Sequence, residues 1–137
     1  MQQLGNPIDE RFNTYPKTAK ALAFRMKEIL YEVAKDEKID LIEESLKWGE
    51  PCFKAPDGSP IRMDWKEKTP DNFYIFFICS TTLIETFREL YRNTLEFEGN
   101  RAIILKISEE QPVNELKHCL SLALKYHKIK KLPLLGA

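Results

Sequence analysis

The chain has 137 residues, of which 43% are hydrophobic, and its 21 Lys and Arg residues balance its 21 Asp and Glu residues. This length and apolar content predict one folded domain over residues 1–137 and exclude a disordered chain. The zero net charge argues against a general nucleic-acid binder, since such proteins carry a basic excess that neutralises phosphates.

The first half of the chain begins with residues 1–14, which we expect to be irregular. A helix is predicted over residues 16–35, where apolar side chains recur at helical spacing. A shorter helix is predicted over residues 40–48. Gly49 would stop this helix, and Pro51 pushes the residue before it into an extended conformation.

The second half of the chain is predicted to form most of a sheet. Thr82 and Glu85 form the pattern of a capping box, which predicts the start of a helix. Short loops between neighbouring strands favour antiparallel pairing. The expected fold is therefore α+β, with a mainly antiparallel sheet of about five strands flanked by helices, in the order α-α-β-β-β-α-β-β-α. Strands are predicted at residues 52–55, 61–65, 72–79, 95–97 and 102–107, and later helices at 82–92 and 112–128.

Four acidic residues form the first candidate site. Glu28, Glu32 and Asp36 are four residues apart on one face of the first long helix, and Asp40 follows closely. Carboxylates suit hard cations such as Fe(II), so these four residues are candidate iron ligands. Alternatively they are the solvated face of an amphipathic helix, because lysines lie between them and partly neutralise them.

An aromatic pocket is the second candidate site. Trp48 and Trp65, together with Tyr15, would line it, and Glu50 would be its polar group. The alternative is a corner of the hydrophobic core, where aromatic side chains commonly pack as a helix turns into a sheet.

Catalysis is not indicated by any residue constellation. A catalytic cysteine requires a base within reach, and the chain has two histidines, His118 and His127. No zinc-ligand spacing and no glycine-rich phosphate loop occurs. The sequence therefore predicts a protein without catalytic activity.

The cellular location is predicted from several absent signals. The longest apolar run, residues 73–79, is far shorter than the roughly 20 residues that span a bilayer. The N-terminal residues lack a basic region followed by an apolar stretch, and three widely spaced cysteines do not form a disulfide framework. We expect a cytoplasmic protein with reduced thiols and no membrane contact. The apolar C-terminal residues Leu132, Leu134 and Leu135 predict docking on the domain itself or on a second subunit of a homodimer.

One segment of the chain, residues 47–53, resembles the YdhG-like domain family, whose tryptophan, proline and aromatic residue fall on Trp48, Pro51 and Phe53. The resemblance extends from about Tyr15 through nearly the whole chain. It implies a sheet with flanking helices, similar to the frataxin arrangement, and some members of the family are described as intracellular iron chaperones. The residues that match the family also include 61–66, 83–87, 97–103 and 123–127.

These observations predict a small cytoplasmic binding or accessory domain without catalytic activity. Its partner is a small molecule, a metal or a protein. The most concrete hypothesis is an iron-chaperone-like role through Glu28, Glu32, Asp36 and Asp40, with iron as the cofactor or cargo. The alternatives are a small-molecule pocket around Trp48 and Trp65, and a protein-interaction module.

Overall fold

Two helices open the computed structural model, which describes residues 6–137. Helix α1 spans Pro7–Asn13 and helix α2 spans Lys17–Asp36. The side chain of Asn6 caps α1 by accepting hydrogen bonds from the backbone N–H groups of Ile8 and Asp9, at 2.9 and 3.1 Å. The irregular segment predicted over residues 1–14 is therefore wrong from Pro7 onwards, because an Asn cap followed by a first-turn proline starts a helix there. Residues 1–5 lie outside the described part.

A β-hairpin replaces the predicted helix over residues 40–48. Strand β1 (Glu43–Lys47) pairs antiparallel with strand β2 (Glu50–Lys54), and Lys47 lies opposite Glu50. Trp48 and Gly49 form the two-residue turn, with left-handed φ values of 55° and 79°. Such a turn matches the twist of the flanking strands. The helix prediction failed because Gly49 makes a hairpin turn, and cross-strand pairing outweighs the helical spacing of a few apolar residues.

Four further strands complete a six-stranded antiparallel sheet in the order β1-β2-β3-β4-β6-β5. The α+β prediction is confirmed, and the additional strand is β1. Strand β4 is central and buried on both faces, as its unbroken apolar sequence predicted. The four strands are β3 (Ile61–Trp65), β4 (Asn72–Phe77), β5 (Glu96–Glu98) and β6 (Ala102–Lys106).

The later helices are α3 (Leu83–Tyr91), α4 (Val113–Leu124) and α5 (Tyr126–Ile129), and a short 3₁₀ turn follows at Pro133–Gly136. Helix α2 packs against α4, and α4 packs against α3. The predicted capping box is wrong, because Thr82 makes no side-chain capping bond. Instead, the hydroxyl of Thr81 accepts a hydrogen bond from the N–H of Leu83 at 3.4 Å.

The main core lies between the helices and one face of the sheet, which we call the helix face. The outer face has a smaller apolar cluster of Tyr74, Phe76 and Ala102, with Ile104 packed against it. Long basic side chains close this cluster, since Arg62, Lys66 and Arg101 each lie 5.4–5.6 Å from the centre of the Phe76 ring. Among residues 6–137, no helix is both long and apolar enough to cross a membrane.

Candidate functional site

The residues of the predicted aromatic pocket separate into two regions. Tyr15 packs against Trp65 with ring centres 5.7 Å apart, and the indole N–H of Trp65 donates to the carbonyl of Pro70 at 2.9 Å. Trp48 lies at the tip of the β1–β2 hairpin, and 95% of its surface is exposed. The two tryptophans therefore do not line one pocket.

A buried carboxylate organises the region around Tyr15 and Trp65. Asp64 lies on β3 with its side chain 3% exposed. It accepts a hydrogen bond from the hydroxyl of Tyr15 and bonds from Arg11 Nη2 to both oxygens, at 3.2 and 3.4 Å. Lys66 Nζ lies 3.5 Å from the same carboxylate. Sequence analysis missed Asp64, because Arg62 and Asp64 alternate with apolar residues along β3, and such alternation indicates a solvent-facing side of the strand.

Glu50 extends this arrangement across the outer face of the sheet. It accepts hydrogen bonds from Arg62 Nη1 at 3.0 Å and from Lys66 Nζ at 2.9 Å. Pairing between β2 and β3 is confined to Phe53–Ile61 and Cys52–Arg62, so Asp64 lies beyond the paired part of the ladder. We call Arg11, Tyr15, Glu50, Arg62, Asp64 and Lys66 the Asp64 cluster. Each of its carboxylates is matched by two cations within the chain, and the cluster ties α1 to the sheet.

The hydroxyl of Tyr15 stays protonated in this environment. Burial raises the pKa of Tyr15 well above its usual range, and the hydrogen bond to Asp64 and the charge of Asp64 raise it further. The pKa of Tyr31 is raised for the same reasons, with Glu44 as the acceptor. Both phenols are therefore hydrogen-bond donors to carboxylates in the folded protein.

The four predicted iron ligands stay on the solvent-exposed surface. Glu28, Glu32, Asp36 and Asp40 are all exposed, and Glu32 Oε2 lies 3.3 Å from Lys117 Nζ on α4. Within residues 6–137, no three His, Cys, Asp or Glu side chains converge in a way that would hold a metal ion. Iron binding stays a prediction, and the described residues supply no preformed site for it.

Two of the three cysteines are buried, and their thiols have raised pKa values. Burial is the main cause for both Cys52 and Cys119. A protonated, enclosed thiol is a poor nucleophile. The imidazole of His118, next to Cys119 in sequence, is hydrogen-bonded through Nδ1 to the hydroxyl of Tyr91 at 2.5 Å.

Residues 43–54, which we call the Trp48 hairpin, have the most exposed apolar surface near a sheet edge. Trp48 is 95% exposed, Leu46 is 43% exposed, and Leu41 just before the hairpin is 62% exposed. The turn conformation of Trp48 favours Gly or Asn, and a bulky residue there is strained. Beside β1 lies a cleft of about 230 Å³, lined by Asn6, Pro7, Ile8, Glu44, Ser45 and Leu46.

The C-terminal leucines divide between the domain and the solvent. Leu135 is 3% exposed, and the 3₁₀ turn to which it belongs packs on α3 and α5. Leu132 and Leu134 are 50% and 46% exposed. The predicted docking on the domain is thus made by Leu135, and contact with a second subunit through this segment stays a prediction.

No protein-family model, no curated protein and no solved structure matches this chain.

Proposed function

We propose that this chain is a non-catalytic accessory domain that binds a protein partner through the Trp48 hairpin. The observation that carries the proposal is the fully exposed indole of Trp48 on a left-handed turn residue. Backbone strain at a non-glycine residue persists only where the surrounding structure enforces it, and such residues are concentrated at functional sites. Tryptophan is also one of the residue types enriched among the anchors of protein interfaces.

The position of the hairpin supports a protein partner over a small molecule. Trp48 projects from the tip instead of lining a cavity, and the exposed side chain of Leu46, two residues before it, is apolar. A small ligand is usually enclosed on most of its surface, whereas a projecting aromatic fits a pocket on another protein. In the Asp64 cluster, by contrast, polar groups already bind one another, so a ligand there would have to displace internal ion pairs.

A photo-crosslinking amino acid placed at position 48 in the source cells tests the proposal. The matched control has the same amino acid at Asn100, which is exposed at the tip of the β5–β6 hairpin beside Gly99. A protein captured only from position 48 is then identified, purified and titrated against the wild type, Trp48→Ala and Asn100→Ala.

We expect Trp48→Ala to weaken binding at least about 30-fold, the effect of losing one central aromatic anchor. Asn100→Ala should bind as the wild type does. The proposal is wrong if no captured protein has an affinity that depends on Trp48.

A further inference from the structure

Strand β1 is the first strand of the sheet, so one of its edges has no neighbouring strand among residues 6–137. Lys47 and Glu50 flank the two-residue turn, and the backbone groups of such a closing pair face each other. Because these groups alternate along a strand, those of Glu44 and Leu46 point to the free edge. An added antiparallel strand would bond to these groups.

The sequence of β1 is complementary to itself in one antiparallel register. A two-fold axis through Ser45 places Glu43 of one copy opposite Lys47 of the second copy, and this pair occurs twice. Opposite charges in directly facing positions stabilise paired strands, whereas like charges destabilise them. The same axis places Glu44 opposite Leu46. Glu44 itself is already bound within its own chain by Asn6 and Tyr31.

The exposed apolar residues of the hairpin fit the same register. The two-fold axis brings the turn residue Trp48 of one copy to the level of Ile42, the residue before β1, in the other. Ile42 is half-buried and packs against the core, so it offers an apolar surface to the indole. The apolar cleft beside Ser45 and Leu46 adjoins the point through which the axis passes.

The opposite edge of the sheet lacks this complementarity. Strand β5 has three residues, Glu96, Phe97 and Glu98. Antiparallel pairing of β5 with a second copy around Phe97 would place Glu96 opposite Glu98, which repel each other. Acidic edge strands of this kind hinder edge-to-edge association, and the contrast assigns self-pairing to β1 alone.

We propose that the partner of the Trp48 hairpin is a second copy of this chain, joined through antiparallel pairing of the two β1 edges into a continuous twelve-stranded sheet, six strands from each copy. This inference rests on the proposed function, because it names the partner of the same surface. Two edge strands of five residues bury little area. The dimer is therefore weak and forms at high protein concentration.

A reciprocal charge exchange tests the register. Lys47→Glu places two pairs of glutamates in contact across the dimer, and Glu43→Lys places two pairs of lysines in contact. Each variant alone should dimerise at least about tenfold more weakly than the wild type in low salt. An equimolar mixture restores both opposite-charge pairs across the dimer, so its heterodimer should be at least about tenfold stronger than the homodimer of either variant. Glu110→Lys is the matched control, since Glu110 is exposed and lies outside the strands, and it should leave dimerisation unchanged.

Sedimentation equilibrium up to about 1 mM protein measures these affinities, and circular dichroism checks that each variant is folded. A wild type that stays monomeric over this range overturns the inference. So does a wild-type dimer that neither single exchange weakens, or whose single variants do not recover in the mixture. A monomeric wild type together with a different protein captured at position 48 would refute only the second-copy partner, whereas a β1 dimer unaffected by Trp48→Ala would refute only the role of Trp48.

Discussion

The two tryptophans of this chain are used in opposite ways. Trp65 packs against Tyr15, contacts the core and donates its indole hydrogen to Pro70. Trp48 exposes 95% of its surface and adopts a backbone conformation that favours glycine. Burial of apolar surface accounts for Trp65, whereas nothing within the described chain accounts for Trp48.

This contrast distinguishes residues that stabilise the fold from residues that the fold leaves exposed to solvent. The surroundings of Trp65 include Asp64, whose carboxylate is enclosed and bound by Tyr15, Arg11 and Lys66. Removing one partner there leaves others without compensation. At Trp48 the opposite holds, because a residue better suited to the turn should stabilise the protein. Three changes sharpen the comparison.

The largest effect is expected for Asp64→Asn. Loss of the carboxylate charge leaves Arg11 and Lys66 without their shared counterion and weakens the acceptor of the Tyr15 hydroxyl. We expect the free energy of unfolding at neutral pH to fall by about 2–3 kcal/mol, less than for a fully enclosed pair because Arg11 and Lys66 can turn to water. Urea denaturation measures this. Glu50→Gln is the control, with a loss of about 1 kcal/mol or less. Equal losses in both variants would contradict a central role for Asp64.

A smaller effect is expected from alkaline pH. The pKa of Tyr15 is raised above its ordinary value of 10.0, so the folded state favours the protonated phenol. This contribution is fully present below about pH 10 and is lost as the pH rises above that value, because the unfolded chain then releases a proton that the folded chain retains. The urea midpoint of the wild type should therefore fall steeply above about pH 10.

Tyr15→Phe should flatten this alkaline decline, and at neutral pH it should lower the free energy of unfolding by about 1–2 kcal/mol through loss of the hydrogen bond to Asp64. Tyr31→Phe is the companion variant, since Tyr31 also has a raised pKa and should account for another part of the decline. An alkaline decline that is unchanged in Tyr15→Phe would count against the enclosed Tyr15–Asp64 contact.

The smallest effect, of opposite sign, is expected for Trp48→Asn. Asn followed by Gly49 is a favoured pair for this type of hairpin turn and tolerates left-handed φ values better than tryptophan does. We expect the free energy of unfolding to rise by about 0.5–1 kcal/mol, measured by urea denaturation at a concentration where the protein is monomeric. Asn100→Ala, at the tip of the β5–β6 hairpin, is the comparison. It removes the hydrogen bond that Arg88 donates to the Asn100 side chain, so it should not raise the free energy of unfolding. A loss of stability in Trp48→Asn would mean that the indole supports the fold, contrary to its exposure.

Particular residues show why part of the fold was predictable and part was not. The apolar stripe of α2 and the unbroken apolar sequence of β4 are local patterns, and the structure confirms both elements. Over residues 40–48 the spacing of apolar side chains fitted a helix, and only pairing with β2 decided for a strand. The start of α1 had a readable signal in Asn6-Pro7 that the prediction did not use.

The candidate sites, like the fold, were predictable only in part. Sequence analysis named Tyr15, Glu50 and Trp65, and the structure brings all three near Asp64. It also grouped Trp48 with them. Trp48 is close to Glu50 in sequence, but it lies at the tip of the β1–β2 hairpin, away from the Asp64 cluster. Arg11 and Asp64 are 53 residues apart along the chain, so their contact had no local pattern that would reveal it.

The sequence by itself determined the fold class, the long helix α2 and the central strand β4, because apolar periodicity and turn residues act over a few neighbouring positions. The tertiary structure decided which side chains are buried and which are exposed to solvent. It buried Asp64 among three partners, left the acids of α2 on the solvent-exposed surface, and placed Trp48 at the free end of a hairpin. Each of these outcomes depends on contacts between segments distant in sequence, and residue spacing along the chain does not contain them.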